Sequence, residues 1–260
     1  MTSGFSSRVC GAFALVCAGL LFPHATHAQT ACGTTGPDRV VSAPGTILNA
    51  YYPNPAGLTT VPVGSGLVPL DATARRGSGT IAAGDLVLIV QVQGARIDRR
   101  AEGTVNGRYG DGPGFDDRQG VLDEAQFVAG LYEFNVAAGP VAGGVLPLVN
   151  TTRNLYIGDD TADVGGNLGG GVYRYQVVRV PTFGELRVTA AGVVAGEPWD
   201  GRSGGFVVLD VTGELRVVGR VSVDGLGFSG GSPVIPVVDD TETDGIKGEG
   251  IHGTPTRVYS

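Results

Sequence analysis

The sequence predicts an all-β protein, with a small β-barrel or sandwich domain followed by the first coils of a parallel β-helix. Three observations support this. Glycine accounts for 45 of the 260 residues and separates short runs rich in valine and leucine, which is typical of strands joined by turns. The chain after residue 28 lacks the apolar period of long helices. One phrase, GELRV, occurs twice.

Residues 1–28 have the pattern of a signal peptide. Arg8 gives a positive start, an apolar run of 13 residues begins at Cys10, and small residues lead to Ala28. The run is too short to span a bilayer, so we expect export and cleavage after Ala28. The mature protein is then secreted, extracellular or at the cell surface, and residues 29–39 form a loose N-terminal tail.

The composition excludes several classes of site and partner. The formal net charge is −7, and an acidic surface repels the phosphates of nucleic acids. After residue 28 the chain keeps one cysteine, Cys32, and one histidine, His252. An internal disulfide is therefore impossible, and a zinc site with the usual ligands is not expected. No second hydrophobic segment follows the signal, so we expect no membrane span.

Residues 40–174 are predicted to form the small β domain. The clearest strand is 84–94, an apolar run that passes into alternation between two glycines, and 130–139 and 144–150 have similar patterns. The polar residues 98–126 between them are predicted to be a surface loop.

Residues 175–231 contain the repeat, with GELRV at 184–188 and at 213–217. Each copy has a Val-Val strand, then GELRV, then a third short strand and a glycine pair. Leu215 and Val217 alternate with charged residues and so share one face. A unit of this size buries its apolar face only by stacking on a neighbour. This favours two coils of a parallel β-helix, with two β-meanders in a sandwich as the alternative.

The last segment, 232–260, is predicted to be irregular and rich in glycine and acidic residues. Its early prolines, Pro233 and Pro236, remove ladder donors, so it makes a poor cap for the preceding coil. We expect that coil to end in an incompletely covered edge, with residues from about Asp239 held loosely. Whether the chain is complete or is part of a longer repeat protein stays open.

Three motifs resemble catalytic signatures. Residues 225–230 and 248–253 match the dinucleotide-binding pattern G-x-G-x-x-G, but prolines follow where a helix must begin, so we expect corner turns. Residues 201–205, GRSGG, match a nucleophile elbow, but a strand pattern follows instead of the required helix. Catalysis by Ser203 with His252 is therefore predicted to be absent.

Two ligand sites have weaker signals. Asp240, Glu242 and Asp244 alternate as at the start of an oxygen-ligand calcium loop, but the bidentate glutamate at position twelve is missing, so a solvated acidic loop is the alternative. Trp199 beside Asp200 suits a sugar platform, and a packing anchor is its alternative. No other cofactor is expected.

The phrases IAAGDLVLIVQVQGARID, AGLYEFNVA, YQVVRVPTFGELRV, WDGRSGG and IKGEGIHGTPTRVY together resemble the N-terminal region of large secreted, glycine-rich bacterial cell-surface proteins of the adhesin or gliding-associated type. The resemblance covers the chain from about Val40 onward. It implies an exported surface protein with a structural or adhesive role and brings no catalytic residues.

The sequence thus predicts a secreted cell-surface structural or adhesive protein without catalytic activity, with extracellular polysaccharide or other surface proteins as partners. The alternatives are a carbohydrate-active β-helix enzyme, either a polysaccharide lyase or a hydrolase, and a calcium-stabilised interaction module. An enzyme should bring several carboxylates, or a carboxylate and an arginine, together in a groove along the coils. The ligand, the anchoring mechanism and the oligomeric state are not specified.

Overall fold

The strands pair in two ways, antiparallel in one part of the chain and parallel in another. The computed structural model describes residues 36–95, 97–98, 127–160, 168–169, 172–233, 245–246 and 248–253. Every described residue belongs to one structural unit, Ala31–Ser260. The described residues are all β, with one short 3₁₀ helix, Ala72–Ala74, and none of them lies in an α-helix.

In chain order the strands are β1 (Arg39–Val41), β2 (Thr46–Ile47), β3 (Ala50–Pro53), β4 (Thr59–Val61), β5 (Leu67–Pro69), β6 (Arg76–Gly77), β7 (Leu86–Gln93), β8 (Ile97–Asp98), β9 (Tyr132–Val136), β10 (Val145–Pro147), β11 (Tyr156–Gly158), β12 (Leu168–Gly169), β13 (Arg174–Val180), β14 (Thr182–Phe183), β15 (Leu186–Val188), β16 (Val193–Ala195), β17 (Asp210–Val211), β18 (Leu215–Val217), β19 (Arg220–Ser222), β20 (Ser232–Pro233) and β21 (Gly245–Ile246). Within the described ranges, no helix has the length and apolar character needed to cross a membrane.

The antiparallel part is a five-stranded sheet in the order β6-β3-β13-β7-β9. Strand β7 is apolar along most of its length because both faces of the sheet are covered. Val87 and Ile89 pack into one buried cluster, and Leu88 and Val90 into another on the opposite face. The first cluster also receives side chains from the pairs β4–β11 and β5–β10. The sheet is open at β6 and β9, and the described strands do not close it into a barrel.

The parallel part is a stack of three rungs. We define the first rung as residues 36–47, the second as 182–195 and the third as 210–223. Strands β1, β15 and β18 pair in this order, as do β2, β16 and β19, and β14 pairs with β17. The two GELRV copies lie directly against each other, with Leu186 opposite Leu215. The interior of the stack is a separate buried cluster: Val41, Leu48, Phe183, Leu186, Val188 and Val194.

Two features of the stack differ from the sequence analysis. The first rung consists of residues that the analysis assigned to the tail and to the small β domain, yet β1 and β2 pair in parallel with the second rung. Strand β13, assigned to the first coil, lies between β3 and β7 in the five-stranded sheet. Pairing between residues far apart in the chain decides both placements, and short local patterns do not contain that information.

Glycine is required where consecutive rungs meet at a corner. A Cβ atom on Gly213 would lie 2.5 Å from the carbonyl oxygen of Gly184 in the rung below. The amide of Gly213 uses this close approach to donate to the same oxygen, at 2.7 Å. The glycine that opens the second GELRV copy, Gly213, is therefore a packing requirement of the stack.

Residues 203–209 are the last part of the connection between the second rung and the third. The sequence predicts a strand over 206–211, but only Asp210 and Val211 form one, β17. The backbone groups of Gly204 and Val208 instead bond to two side chains: Asn49, which directly precedes β3, and Gln176 in β13. Asn49 donates to Val208 O at 2.6 Å and accepts from Val208 N at 3.2 Å, and Gln176 exchanges two bonds of 3.0 Å with Gly204.

Candidate functional site

The third rung presents an open apolar edge. Leu215, Val217 and Val221 are 53%, 43% and 42% exposed. The residues opposite them in the second rung, Leu186 among them, are fully buried. The paired side chains are of the same types in the two rungs, so the difference in exposure comes from the number of neighbouring rungs. Among the described strands, β15 and β16 of the second rung have a neighbouring rung on both sides, and β18 and β19 of the third rung have one on a single side.

The backbone of this edge is also open. Leu186 N donates to Glu214 O at 2.9 Å, and Val218 N donates to Val188 O at 2.8 Å. In a parallel ladder, alternate residues direct their N–H and C=O groups to opposite neighbours. Leu215 and Val217 therefore direct theirs away from the second rung, to a side where none of the described strands pairs with β18. Such a row of free groups is a template for another strand.

The described chain after the third rung leaves the stack. Residues 248–253 return to the end of the five-stranded sheet, where Gly94 N donates to Ile251 O at 2.9 Å and Val172 N donates to His252 O at 3.0 Å. Gln93 also donates to the Glu249 carboxylate at 2.9 Å. These residues therefore lie at the end of the sheet, and no described strand pairs with the outer side of the third rung. Residues 234–244 and 254–260 lie outside the described part.

A second candidate site is polar. We call it the ionic joint, and it connects the five-stranded sheet to the corner at residues 197–203, which follows the second rung. Arg76 pairs with Glu197 Oε2 at 3.0 Å and with Asp200 Oδ2 at 2.9 Å. Arg202 pairs with Asp71 at 3.1 Å. The joint brings arginines and carboxylates together, as the carbohydrate-active enzyme alternative requires. An acid catalyst also needs a carboxyl group that can hold a proton, so the pKa of Asp200 bears on this alternative.

Asp200 is committed to holding the corner. Its Oδ1 accepts from the backbone N–H of Arg202 at 2.9 Å and of Ser203 at 2.8 Å. Partial burial disfavours its charge, but these N–H groups and the guanidinium of Arg76 outweigh that effect and hold the pKa of Asp200 below its usual value. A carboxylate in this state is a poor general acid at neutral pH, because that role needs a raised pKa.

Ser203 and His252 do not form a catalytic pair in this structure. Ser203 is fully buried, and its Oγ has no hydrogen-bond partner among the described residues, so it makes no bond to the imidazole. His252 Nδ1 lies 3.0 Å from the carbonyl oxygen of Ala95. The described residues that follow Ser203 enter strand β17 without a helix. The geometry of a nucleophile elbow is therefore missing.

Trp199 packs inside the protein. Its side chain is 8% exposed and meets Phe228 edge to face, with ring centroids 5.5 Å apart. A sugar platform needs an open ring face, so the packing-anchor interpretation fits and the sugar-platform interpretation does not.

The two G-x-G-x-x-G matches are turns. No described residue after 225–230 begins a helix, and Gly250 and Gly253 pair across a tight turn. The calcium candidates Asp240, Glu242 and Asp244 lie outside the described residues. Within the described ranges, no group of three acidic, histidine or cysteine side chains is placed to hold a metal ion.

The sequence analysis missed the residues that hold the corner and its connection, above all Asn49, Tyr51, Arg76 and Gln176. Burial raises the pKa of Tyr51 to about 12, and its hydroxyl donates to the carbonyl of Phe206. A signal was present for Gln176. It shares a strand face with Val178 and Val180, and a polar side chain on an apolar face indicates a buried hydrogen-bond partner.

Comparisons with protein-family models, with curated proteins and with solved structures find no match to this chain.

Proposed function

We propose that this protein is a secreted cell-surface protein with a structural or adhesive role, and that it acts without catalysis. The observation that carries the proposal is the open apolar edge of the third rung. In this proposal the three rungs are the first coils of a parallel β-helix, and the five-stranded sheet with its covering strand pairs is a small β-sandwich attached to them.

The apolar edge of the third rung supports an interaction role because an exposed edge of this kind exposes a protein to unwanted association. Exposed apolar side chains beside free backbone groups promote pairing with other chains, and proteins usually protect such edges. Solenoids in particular end in a polar capping repeat. The third rung instead keeps the apolar alternation of the rung below it, so its sequence is suited to a partner. Extracellular polysaccharide and other surface proteins are the partner classes that an exported chain meets.

A carbohydrate-active enzyme, a polysaccharide lyase or hydrolase, is the competing function, and the ionic joint is the observation that favours it. Arginine and carboxylate groups converge there. However, Asp200 accepts two backbone bonds and an ion pair, and its pKa is lowered. These contacts favour a structural role for the joint. The calcium-stabilised interaction module depends on residues outside the described ranges.

The proposal is tested on intact producing cells. Fluorescently labelled mature protein, residues 29–260, should bind saturably to the cell surface, and protease treatment of intact cells should remove the native protein. A Leu215→Lys variant with an unchanged melting temperature should bind at least about tenfold more weakly. Retention of the native protein in the cytosol would contradict the proposal. So would cleavage of extracellular polysaccharides by the wild type that is lost in an Asp200→Asn variant.

A further inference from the structure

We infer that the third rung takes up a fourth parallel rung, formed by an extended peptide segment with a glycine and, after one residue, two apolar residues separated by one position. This inference rests on the proposed interaction role and names the partner that the edge fits. The segment pairs in register with β18, so that its apolar residues cover Leu215 and Val217.

The structure itself shows what covers such a face. The second rung has the sequence GELRV at 184–188, and the third rung has the same sequence at 213–217. These copies pair residue by residue, with Leu186 opposite Leu215 and Val188 opposite Val217. The face that the third rung leaves open therefore repeats the face that the second rung presents to it. A segment of the same pattern fits both faces for the same reasons.

The backbone sets the direction of the added segment. The ladder between the second and third rungs is parallel, as is the ladder between the first and second. Leu215 and Val217 direct their free N–H and C=O groups outward at the spacing of this ladder. An added parallel segment continues the same hydrogen bonds and keeps its apolar residues above the interior of the stack.

The corner supplies a second requirement. Gly213 approaches the carbonyl of Gly184 so closely that a side chain on Gly213 would collide with it. A fourth rung that follows the same path meets the carbonyl of Gly213 in the same way. With the spacing of the second and third rungs, a side chain opposite Gly213 would collide with that carbonyl, so glycine is favoured there, and this distinguishes the partner from an arbitrary apolar strand.

Disulfide trapping tests the register. The probe is a synthetic peptide with the sequence of residues 182–195, carrying either Val188→Cys or Arg187→Cys. The protein is the mature chain in a Cys32→Ser background, carrying either Val217→Cys or Arg216→Cys. Residues opposite each other on adjacent strands are about 5 Å apart, within the range that a disulfide spans. The matched combinations are Val217 with Val188 and Arg216 with Arg187.

We expect the matched combinations to cross-link at least about fivefold faster than the mismatched ones, and a peptide with Gly184→Val to lose this preference. Equal rates in all four combinations would overturn the inference. Fast cross-linking of Arg216 with Arg187 alone would also overturn it, because an antiparallel strand centred there keeps that pair and separates the other. Unchanged melting temperatures of both protein variants show that the fold is retained.

The second copy of this chain is the competing occupant. Sedimentation velocity of the mature protein distinguishes it. Dimers that disappear in a Val217→Lys variant, together with a peptide that does not cross-link in register, would assign the edge to self-association and overturn the inference. Failure of the peptide to cross-link leaves binding to the cell surface intact, so the two proposals fail separately.

Discussion

Replacement of Asn49 by alanine should destabilise the protein strongly, although Asn49 lies in no strand and in no recognised motif. The side chain is fully buried. Its Nδ2 donates to Arg179 O at 3.0 Å and to Val208 O at 2.6 Å, and its Oδ1 accepts from Val208 N at 3.2 Å. Alanine leaves three backbone groups without these partners. A buried group without a partner costs about 1–3 kcal/mol.

Val208 is only partly buried, so water replaces some of the lost bonds. We therefore expect a loss of about 2–4 kcal/mol, a large part of the roughly 5–15 kcal/mol that stabilises an ordinary domain. Urea unfolding at equilibrium measures it as a lower midpoint with an unchanged slope. Asn150→Ala is the matched control, because the Asn150 side chain is exposed and its hydrogen bonds with Asn135 use backbone atoms. If both variants unfold within about 0.5 kcal/mol of the wild type, the backbone of residues 203–209 does not depend on Asn49.

Three further predictions concern Asp200, Ser203 and the calcium candidates. The folded pKa of Asp200 lies below its ordinary value of 3.8, so its ionised form stabilises the fold above pH 3.8, and this contribution is lost as the pH falls through the lower folded pKa. Acid unfolding of the Asp200→Asn variant should lack that part of the loss in stability. An acid-unfolding profile identical to that of the wild type would contradict the assignment. Ser203→Ala should leave the free energy of unfolding unchanged or raise it by up to about 1 kcal/mol, because no described residue is a hydrogen-bond partner of the buried Oγ, and a loss above about 1 kcal/mol would show a missed bond. Millimolar calcium should raise the melting temperature of the wild type, and not of the Asp240→Asn/Asp244→Asn variant, if those carboxylates bind the ion only in the folded state; an equal rise in both would remove the site.

The local strand patterns were predictable from the sequence. The runs at 84–94, 130–139 and 144–150 contain β7, β9 and β10. The pairing of the two GELRV copies followed from their identity, because two copies of one amphipathic phrase bury each other best when stacked. In each case, alternation or repetition within a short window contains the information.

The first rung was not predictable in the same way. Residues 36–47 contain no copy of GELRV, and their partners lie about 150 residues later in the chain. The strand prediction for residues 206–211 was wrong over most of its length for a different reason. The sequence of residues 203–209 has a strand pattern, but side chains such as Asn49 and Gln176 satisfy its backbone. A pattern of apolar residues predicts an extended chain and does not specify which groups bond to it.

Of the two candidate sites, the apolar edge was predictable from local sequence and the ionic joint was not. An incompletely covered edge was predicted from the prolines and the acidic residues after the last coil, and the half-exposed Leu215 and Val217 agree with that expectation in the described part of the chain. The ionic joint was not predicted, since Arg76 and Asp200 lie more than one hundred residues apart and the local sequence around Asp200 suggested a sugar platform instead of an ion pair. Long-range ion pairs of this kind depend on the tertiary fold alone.

Residue-resolved hydrogen exchange of residues 29–260 tests the open edge most directly. The amides of Gly213, Val218 and Arg220 donate to carbonyls of the second rung, so they should exchange slowly. The amides of Leu215 and Val217 point to the opposite side and should exchange at nearly the rate of an unstructured peptide. Protection of Leu215 and Val217 equal to that of Val218 would show that the edge is already covered, and would contradict the proposal that the third rung is free to accept a partner.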